Sequence, residues 1–225
     1  MRRFGHRVLL ALLVATGGCS SRAHFSYPHL TGGSHQGGLV GGLHDVCDRL
    51  ADRHMMEFYD EDIPTAITNA LAGEMQETGL FARVDSLPGC AALPSLGALR
   101  ERGIDIAVQP QLERMEWEVP GYAEILGTML VVGVATGGLG GMIYGSTDTD
   151  VYGRVTLRMA LLDVRTGQTL DRVYSGEAHD KVQKLSSDNG TTRRDMVGRA
   201  FNNAMKSFRA DLATMASALP PTPIP

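Results

Sequence analysis

The chain has 225 residues, of which 43% are hydrophobic and 20% charged, and its formal net charge is −4. This length and apolar content suit one domain with a substantial buried core. The acidic balance excludes the basic surface with which proteins neutralise phosphates, so we expect no nucleic-acid partner.

Residues 1–18 have the three-part pattern of a secretory signal. Arginines near the start precede an apolar run over 8–15, and small residues lead from that run to Cys19. The apolar run is too short to span a bilayer as a helix, which favours a signal peptide over a transmembrane segment. An uncleaved signal anchor with an incidental cysteine is the alternative.

Cys19 resembles the acylated cysteine of bacterial lipoprotein signals, which becomes the mature N-terminus. The resemblance implies that Cys19 is a lipid attachment site and that the protein reaches a membrane through this lipid. Thr16 departs from the pattern, because such signals usually have Leu at that place. Ser20, rather than Asp, follows the cysteine and resembles the signal for outer-membrane sorting. We therefore expect a lipid-anchored protein on the periplasmic face of the outer membrane.

The composition divides the rest of the chain into a tether, a domain and a tail. Residues 19–42 are rich in Gly, Ser and His and are predicted to form a flexible tether. Residues 43–217 carry regular hydrophobic patterns and are predicted to form one α/β domain, with 125–147 as a hydrophobic Gly-rich insertion. Residues 218–225 contain four prolines, which predicts an extended tail.

Cys47 and Cys90 are the two cysteines that remain after the signal. In an oxidising periplasm such a pair is a candidate disulfide, whose loop closure would contribute about 3–4 kcal/mol to stability. Two free buried thiols are the alternative.

Five histidines in the first part of the chain raise the question of a metal site. Their spacings match no zinc template and they lack regularly placed carboxylate partners, so we interpret them as solvated linker residues. We expect no metal and no cofactor. The five are His24, His29, His35, His44 and His54.

Three helices are predicted in the domain. The first begins near the acidic residues 60–62, has Pro64 in its first turn and ends before Gly79. A short helix is expected over 95–102. The last spans 192–215, where a start resembling a capping box precedes a single apolar stripe.

The strands are predicted from alternating apolar residues. Pro110 interrupts one of them, and the alternation changes phase beyond it, which indicates a bulge or an edge strand. The clearest strand places Arg154 and Arg158 on its wet face, where an acidic partner is one interpretation and simple solvation the other. The predicted strands cover residues 39–47, 80–84, 104–119, 151–161 and 169–175.

Residues 125–147 contain no charged residue, which sets them apart from every other part of the domain. The stretch is long enough to span a bilayer, and its glycines at four-residue intervals would form one close-packing ridge on a continuous helix. The high glycine content equally favours a bend between two short arms, a loop folded over the domain, or a helical hairpin. The candidate contact residues for a membrane or a partner are Gly133, Gly137, Gly141 and Gly145.

The order of elements predicts an α+β fold, with helices packed on a mixed or antiparallel sheet. Residues 66–81, 102–108 and 161–170 resemble phrases of small envelope lipoproteins with a TolB N-terminal-like domain. That group includes the curli secretion-channel lipoprotein and a lipoprotein activator of a penicillin-binding protein. The channel inserts strands with alternating residues into the membrane, whereas 125–147 does not alternate.

The resemblance implies a non-enzymatic envelope protein that assembles with a protein partner or with itself. No serine elbow is present, and the acidic residues 60–62 are explained by helix-end electrostatics. Our first hypothesis is a docking or assembly module for a transport, motility or wall-synthesis complex, with 125–147 as its contact element. The second is a membrane-inserting homo-oligomer, a secretion or pore component, in which copies pack through 125–147. Neither hypothesis involves a small-molecule substrate.

Overall fold

The computed structural model of the chain describes residues 37–51, 62–90, 92–119, 121–187 and 190–217. Predictions for the signal peptide, for lipid attachment at Cys19, for residues 60 and 61 and for the tail lie outside these residues. The described residues form a mixed sheet with helices packed against it, and the predicted α+β class is confirmed.

The elements follow the predicted order. The strands are β1 (Leu39–His44), β2 (Cys47–Asp48), β3 (Phe81–Leu87), β4 (Ile106–Glu118), β5 (Asp148–Asp163) and β6 (Thr169–Gln183). The helices are α1 (Ile63–Glu77), α2 (Leu96–Glu101), α3 (Tyr122–Ala135), α4 (Leu139–Gly145) and α5 (Gly190–Ser217), with a 3-10 turn at Lys184–Ser186.

The sheet has the order β3-β1-β4-β5-β6, and β2 pairs with β4 beyond the end of β1. β1 runs parallel to both β3 and β4, whereas β4, β5 and β6 form an antiparallel meander. β4 is therefore the central strand that joins the parallel and antiparallel halves.

The start and end of α1 follow from its sequence. The Asp62 side chain accepts a hydrogen bond from the backbone N of Thr65 at 3.1 Å, and Pro64 lies in the first turn. Gly79 has a φ of 71°, a left-handed conformation that glycine adopts without steric cost after a helix. Both predicted boundaries of this helix are confirmed.

Pro110 does not mark an edge, and that alternative is wrong. β4 continues through it, and Pro110 pairs with Met159 of β5 on one side. On its other side, the pairing with β1 ends at Val108 and the pairing with β2 begins at Gln111. The missing N–H of proline thus falls where β4 has no parallel partner. The phase change comes from a register shift between Leu112 and Arg114. This shift is the bulge that was the other predicted alternative.

Several boundaries differ from prediction by a few residues or more. β1 begins at Leu39, as predicted for the first strand, but ends at His44 rather than 47, and Cys47 belongs to the separate strand β2. β6 continues to Gln183 rather than ending at 175, because its register with β5 is unbroken along its whole length. α5 begins at Gly190 instead of 192.

The main core lies between the sheet and helices α1 and α5. The long helix α5 buries Val197, Phe201 and Phe208 against the sheet, and α1 contributes Ile67 and Leu71. A smaller apolar cluster around Leu99 of α2 covers the opposite face, where Ala107 and Leu162 project. The main cluster extends to the end of the β4–β5 pair from which residues 119–147 leave the sheet, since it includes Met115 and Val151.

Two glycines allow α5 to lie directly on the meander. A Cβ at Gly153 of β5 would stand 2.5 Å from the carbonyl oxygen of Met196, and one at Gly176 of β6 only 1.9 Å from that of Ala200. A buried ion pair also joins the two large helices, because Arg209 of α5 contacts the fully buried carboxylate of Glu74 in α1. The position of α5 therefore depends both on the lack of a side chain at Gly153 and Gly176 and on the ion pair between Arg209 and Glu74.

We predict that Gly176→Ala destabilises the domain by about 1–3 kcal/mol, since the added methyl group forces α5 away from β6. Gly97→Ala is the control, because a Cβ there meets only Ser95 Oγ at 3.9 Å and alanine favours the helix. Chemical denaturation measures both free energies of unfolding. Equal stability of the two variants would contradict the close contact between α5 and β6.

Candidate functional site: an apolar helical hairpin

Residues between β4 and β5 form a helical hairpin, one of the alternatives left open by the sequence. Gly137 and Gly138 have φ values of 65° and 102°, and these left-handed conformations end α3 and reverse the chain into α4. The backbone N of Gly138 donates to the carbonyl of Gly133 at 2.7 Å, which closes the turn. A single continuous helix over 125–147 is therefore wrong.

The four candidate glycines are divided by this turn. A Cβ at Gly141 would stand 2.9 Å from the carbonyl oxygen of Met129 and 3.1 Å from Cα of Gly133, so the glycines bring α3 and α4 together. Gly145 packs against Leu185, and Gly137 lies in the turn with open space around it. The predicted single ridge does not form, and contact with a membrane or a partner through these positions stays a prediction.

The outward faces of the hairpin are apolar. Seven large apolar side chains of the hairpin are exposed, with exposed fractions from 46% at Leu126 to 80% at Val134. Soluble monomers rarely expose contiguous apolar surface of this kind, and such surface marks contact sites. The exposed residues are Leu126, Leu130, Val131, Val134, Leu139, Met142 and Ile143.

Three hydroxyl groups of the hairpin are hydrogen-bonded within it. Near the tip, the Thr136 hydroxyl donates to the carbonyl of Val132 at 2.6 Å and accepts from the backbone N of Gly140 at 2.7 Å. The hydroxyls of Ser146 and Thr147 donate to helical carbonyls, each at 2.7 Å. These contacts reduce the number of groups that need water.

The base of the hairpin is attached to the domain through the 3-10 turn. The Lys184 ammonium lies 3.7 Å from the centroid of the Tyr144 ring, and the Lys184 backbone N donates to the carbonyl of Thr147 at 2.8 Å. Ile125 is buried at the opposite side of the base. Charged and aromatic groups therefore lie at the base, and the tip has none.

The wet face of the meander is electrostatically self-paired. Arg154 donates to Glu118 and Glu177 at 3.0 and 3.1 Å. Arg158 donates to Glu113 at 2.8 Å and to Asp171 at 3.2 Å, and hydrogen bonding to Glu113 raises the pKa of the guanidinium. Arg154 and Arg158, for which an acidic partner was one interpretation of the sequence, are thus each hydrogen-bonded to two carboxylates of this chain.

A shallow pocket of 170 Å³ lies beside α1, at the ends of the parallel strands β1 and β3. Its carboxylates have partners: Asp45 accepts from the backbone N of Gly89 at 2.6 Å, and Asp85 pairs with Arg83 at 3.1 Å. The described lining contains neither His nor Cys, so it offers no nucleophile–base pair of the Ser–His or Cys–His type.

The two cysteines are neighbours, as the disulfide prediction requires, but both thiols are free in the structure. The Cys47 thiol is buried and donates to the carbonyl oxygen of Cys90 at 2.7 Å. Burial and the neighbouring Cys90 raise the pKa of Cys47 to about 12. Formation of the disulfide stays a prediction.

His44 is not a solvated linker residue, and that interpretation is wrong for it. It ends β1, is only 3% exposed, and its Nδ1 lies 3.0 Å from the carbonyl oxygen of Gly89. The inward position follows from β1, the predicted strand that contains His44, and the interpretation of His44 as a linker residue overlooked it. The other four histidines lie outside the described residues, and the part of the chain that is described contains no cluster of potential metal ligands.

Comparisons with known proteins give distant structural likenesses only. No family model and no curated protein matches the sequence. The hypothetical protein CT253 from Chlamydia trachomatis aligns with a TM-score of 0.42 and 7% identity, over 81% of this chain and 100% of that chain. Lipoprotein GNA1162 from Neisseria meningitidis aligns with a TM-score of 0.35 and 11% identity, over 81% of this chain and 100% of that chain.

A PelC dodecamer from Paraburkholderia phytofirmans aligns with a TM-score of 0.35 and 11% identity, over 79% of this chain and 92% of that chain. At these TM-scores and identities the likenesses assign no function to this chain. Membership of the TolB N-terminal-like lipoprotein group therefore stays a prediction. Within the described ranges, every helix is too short or too polar to cross a membrane.

We predict that a maleimide reagent at pH 8 modifies Cys90 rapidly and Cys47 only after unfolding. The thiolate is the reactive form, and Cys47 is both buried and shifted to a high pKa, whereas Cys90 is exposed. Peptide mass analysis after labelling of the reduced protein measures each site, with Cys47→Ser as the control for assignment. Equal labelling rates in the folded protein would contradict this arrangement.

Proposed function

We propose that this chain is a non-enzymatic lipoprotein of the cell envelope, a docking or assembly module whose contact element is the α3–α4 hairpin. One observation carries the proposal: the hairpin exposes seven large apolar side chains, with Val134 80% exposed and Val131 71% exposed. Exposed apolar surface costs solubility, so it is expected where a contact uses it. The complex served is a transport, motility or wall-synthesis assembly of the outer membrane or periplasm.

The envelope location is supported by the sequence. The signal pattern of residues 1–18 and the lipoprotein-like Cys19 imply export and acylation. The Gly-rich segment after Cys19 would then separate the acylated end from the sheet. A tethered domain of this kind reaches its contact from the membrane surface on which it is held.

A non-enzymatic role is supported by how the polar groups are used. The arginines of the wet face neutralise carboxylates on neighbouring strands, and the carboxylates of the pocket beside α1 accept bonds from the fold itself. The Asp45 carboxylate, for example, accepts a hydrogen bond from the backbone of Gly89, and Arg158 pairs with Glu113. Catalytic groups instead lie together in a cleft, where burial and neighbouring charges shift their pKa values strongly.

The alternative is a membrane-inserting homo-oligomer in which copies of the hairpin form a secretion or pore component. The absence of charge over residues 125–147 favours it. Two features oppose it: α3 has 14 residues and is about 21 Å long, which is shorter than a hydrocarbon core of about 30 Å. Gly133 and Gly141 are also occupied with each other inside one hairpin rather than open to a second copy.

The proposal predicts that replacing residues 122–147 by a short Gly/Ser linker leaves a folded domain that no longer assembles with its envelope partner. β4 and β5 pair with each other and with the rest of the sheet without the hairpin, so the unfolding transition is expected to persist. Crosslinking in cells followed by affinity purification measures the partner, and chemical denaturation measures the fold.

Val173→Ser is the matched control, since Val173 is an exposed apolar residue of β6, 49% exposed, outside the hairpin. It should retain the crosslinked partner, whereas Val134→Ser combined with Ile143→Ser should weaken crosslinking severalfold. Full crosslinking by the linker variant would rule out the hairpin as the contact element. A detergent-resistant oligomer of the unaltered chain that the linker variant no longer forms would favour the pore alternative.

A further inference from the structure

We infer that the tip of the α3–α4 hairpin enters the acyl-chain region of a single leaflet, in the bilayer that holds the lipid on Cys19. This inference rests on the proposed function, because it names lipid as what the contact element meets. The hairpin and the acyl group would then form two membrane attachments on one domain. Two weak attachments together give stable anchoring that one acyl chain does not.

The distribution of apolar surface favours lipid over a protein groove. A helix that docks into a groove carries an apolar stripe and a polar outer face. Apart from Glu124 in the first turn of α3, the large exposed side chains of both helices are apolar, with Leu130 69% exposed and Ile143 68% exposed. No charged residue falls between 125 and 147. The acyl-chain region of a bilayer is apolar on all sides of an inserted hairpin and therefore matches this surface.

The internal hydrogen bonds point to the same surroundings. In lipid no water is present to satisfy a hydroxyl or a free backbone N–H, so each must be bonded within the protein. Thr136 at the turn does this twice, by donating to Val132 and accepting from the N–H of Gly140. The hydroxyl-to-carbonyl bond is also made in water, as by Thr214 to Ala210 of α5, so the pattern permits burial in lipid without requiring it. The tip can therefore leave water without stranding these groups.

The packing inside the hairpin is of the kind that holds helices together in lipid. Hydrophobic burial gives no attraction between helices there, and close backbone approach at small residues replaces it. Gly133 and Gly141 provide this approach between α3 and α4, with the nearest backbone atom about 3 Å from where a Cβ would stand. The hairpin can thus keep its shape when its outer face is in acyl chains.

The dimensions set the depth at one leaflet. α4 has 7 residues, about 10 Å, and α3 about 21 Å, whereas one leaflet has roughly 15 Å of hydrocarbon. Tyr144 and Lys184 lie in contact at the base, where an aromatic ring and a lysine suit the headgroup layer. The turn at Gly137 would then reach towards the bilayer centre without crossing it.

Depth-dependent fluorescence quenching tests this inference on the full acylated chain. Cys47→Ser and Cys90→Ser remove the native thiols, and Val134→Cys or Val173→Cys introduces one site for an environment-sensitive dye. The proteins are reconstituted in phosphatidylethanolamine and phosphatidylglycerol vesicles that carry a nitroxide on the acyl chain or on the headgroup. Val173 is the control, as an exposed apolar position of β6.

We expect the dye at position 134 to be quenched more by the acyl-chain nitroxide than by the headgroup nitroxide, and the dye at 173 by neither. Removal of phosphatidylglycerol should not change the result, because the tip carries no charge. Quenching at 134 no greater than at 173 would overturn the inference. Reaction of the dye at 134 with dithionite enclosed in the vesicles would also overturn it, because the tip would then reach the far side.

A substitution provides a second measurement in the full chain with Cys19→Ser, in which the acyl group no longer masks the effect. Val134→Asp with Ile143→Asp should lower vesicle binding at least tenfold, since a carboxylate in the hydrocarbon region is strongly unfavourable. Val173→Asp should leave binding unchanged. Equal binding by both variants would contradict lipid insertion.

Failure of this inference is distinguishable from failure of the proposed function. If the dye at 134 stays in water while loss of the hairpin abolishes crosslinking to an envelope partner, a protein covers the hairpin and only the lipid inference falls. If loss of the hairpin changes neither crosslinking nor vesicle binding, both fall.

Discussion

The antiparallel pairing of β4 with β5 is the constraint on which the rest of the structure depends. β4 joins the parallel strands to the meander, and β5 continues that meander into β6. The pair is held on one face by α5, which lies against the sheet because Gly153 and Gly176 leave room for its backbone. Residues that connect β4 to β5 must leave from one end of this pair, and they do not join the cluster of buried residues that forms the main core.

That position explains how a chain with an ordinary core can carry an apolar insertion. The insertion takes no part in the main core, whose side chains come from the sheet, α1 and α5. Its own helices are held by Gly133 against Gly141 and by the turn at Gly137 and Gly138. The contact element is therefore separable in energy from the domain that presents it, and its outer surface can remain apolar.

Sequence patterns predicted the elements whose cause is local. Asp62, Pro64 and Gly79 define α1, and the alternation in β5 defines its buried face. Non-local effects were harder to predict. The length of β6 follows from its pairing with β5, and the tolerance of Pro110 follows from the gap between β1 and β2 on the other side of β4.

The candidate site was located from the sequence, but its form was not. The absence of charge over 125–147 identified the segment, since surface segments of this length normally contain charged residues. The glycine spacing permitted both a ridge and a bend, and only the φ values at Gly137 and Gly138 distinguish them. The pairing of Arg154 and Arg158 with carboxylates likewise depends on strand register, which the sequence leaves open.

The most direct test of the hairpin as the contact element is its accessibility in isolated cell envelopes. Cys47 and Cys90 are first replaced by Ser, and single cysteines are then introduced at hairpin positions 130, 134, 139 and 143 and, as a control, at position 181. Each variant is treated with a membrane-impermeant thiol reagent before and after addition of detergent. We expect the four hairpin positions to be protected until detergent dissolves the bilayer, whereas position 181 is labelled throughout. Uniform labelling of the hairpin in intact envelopes would contradict its role as the contact element.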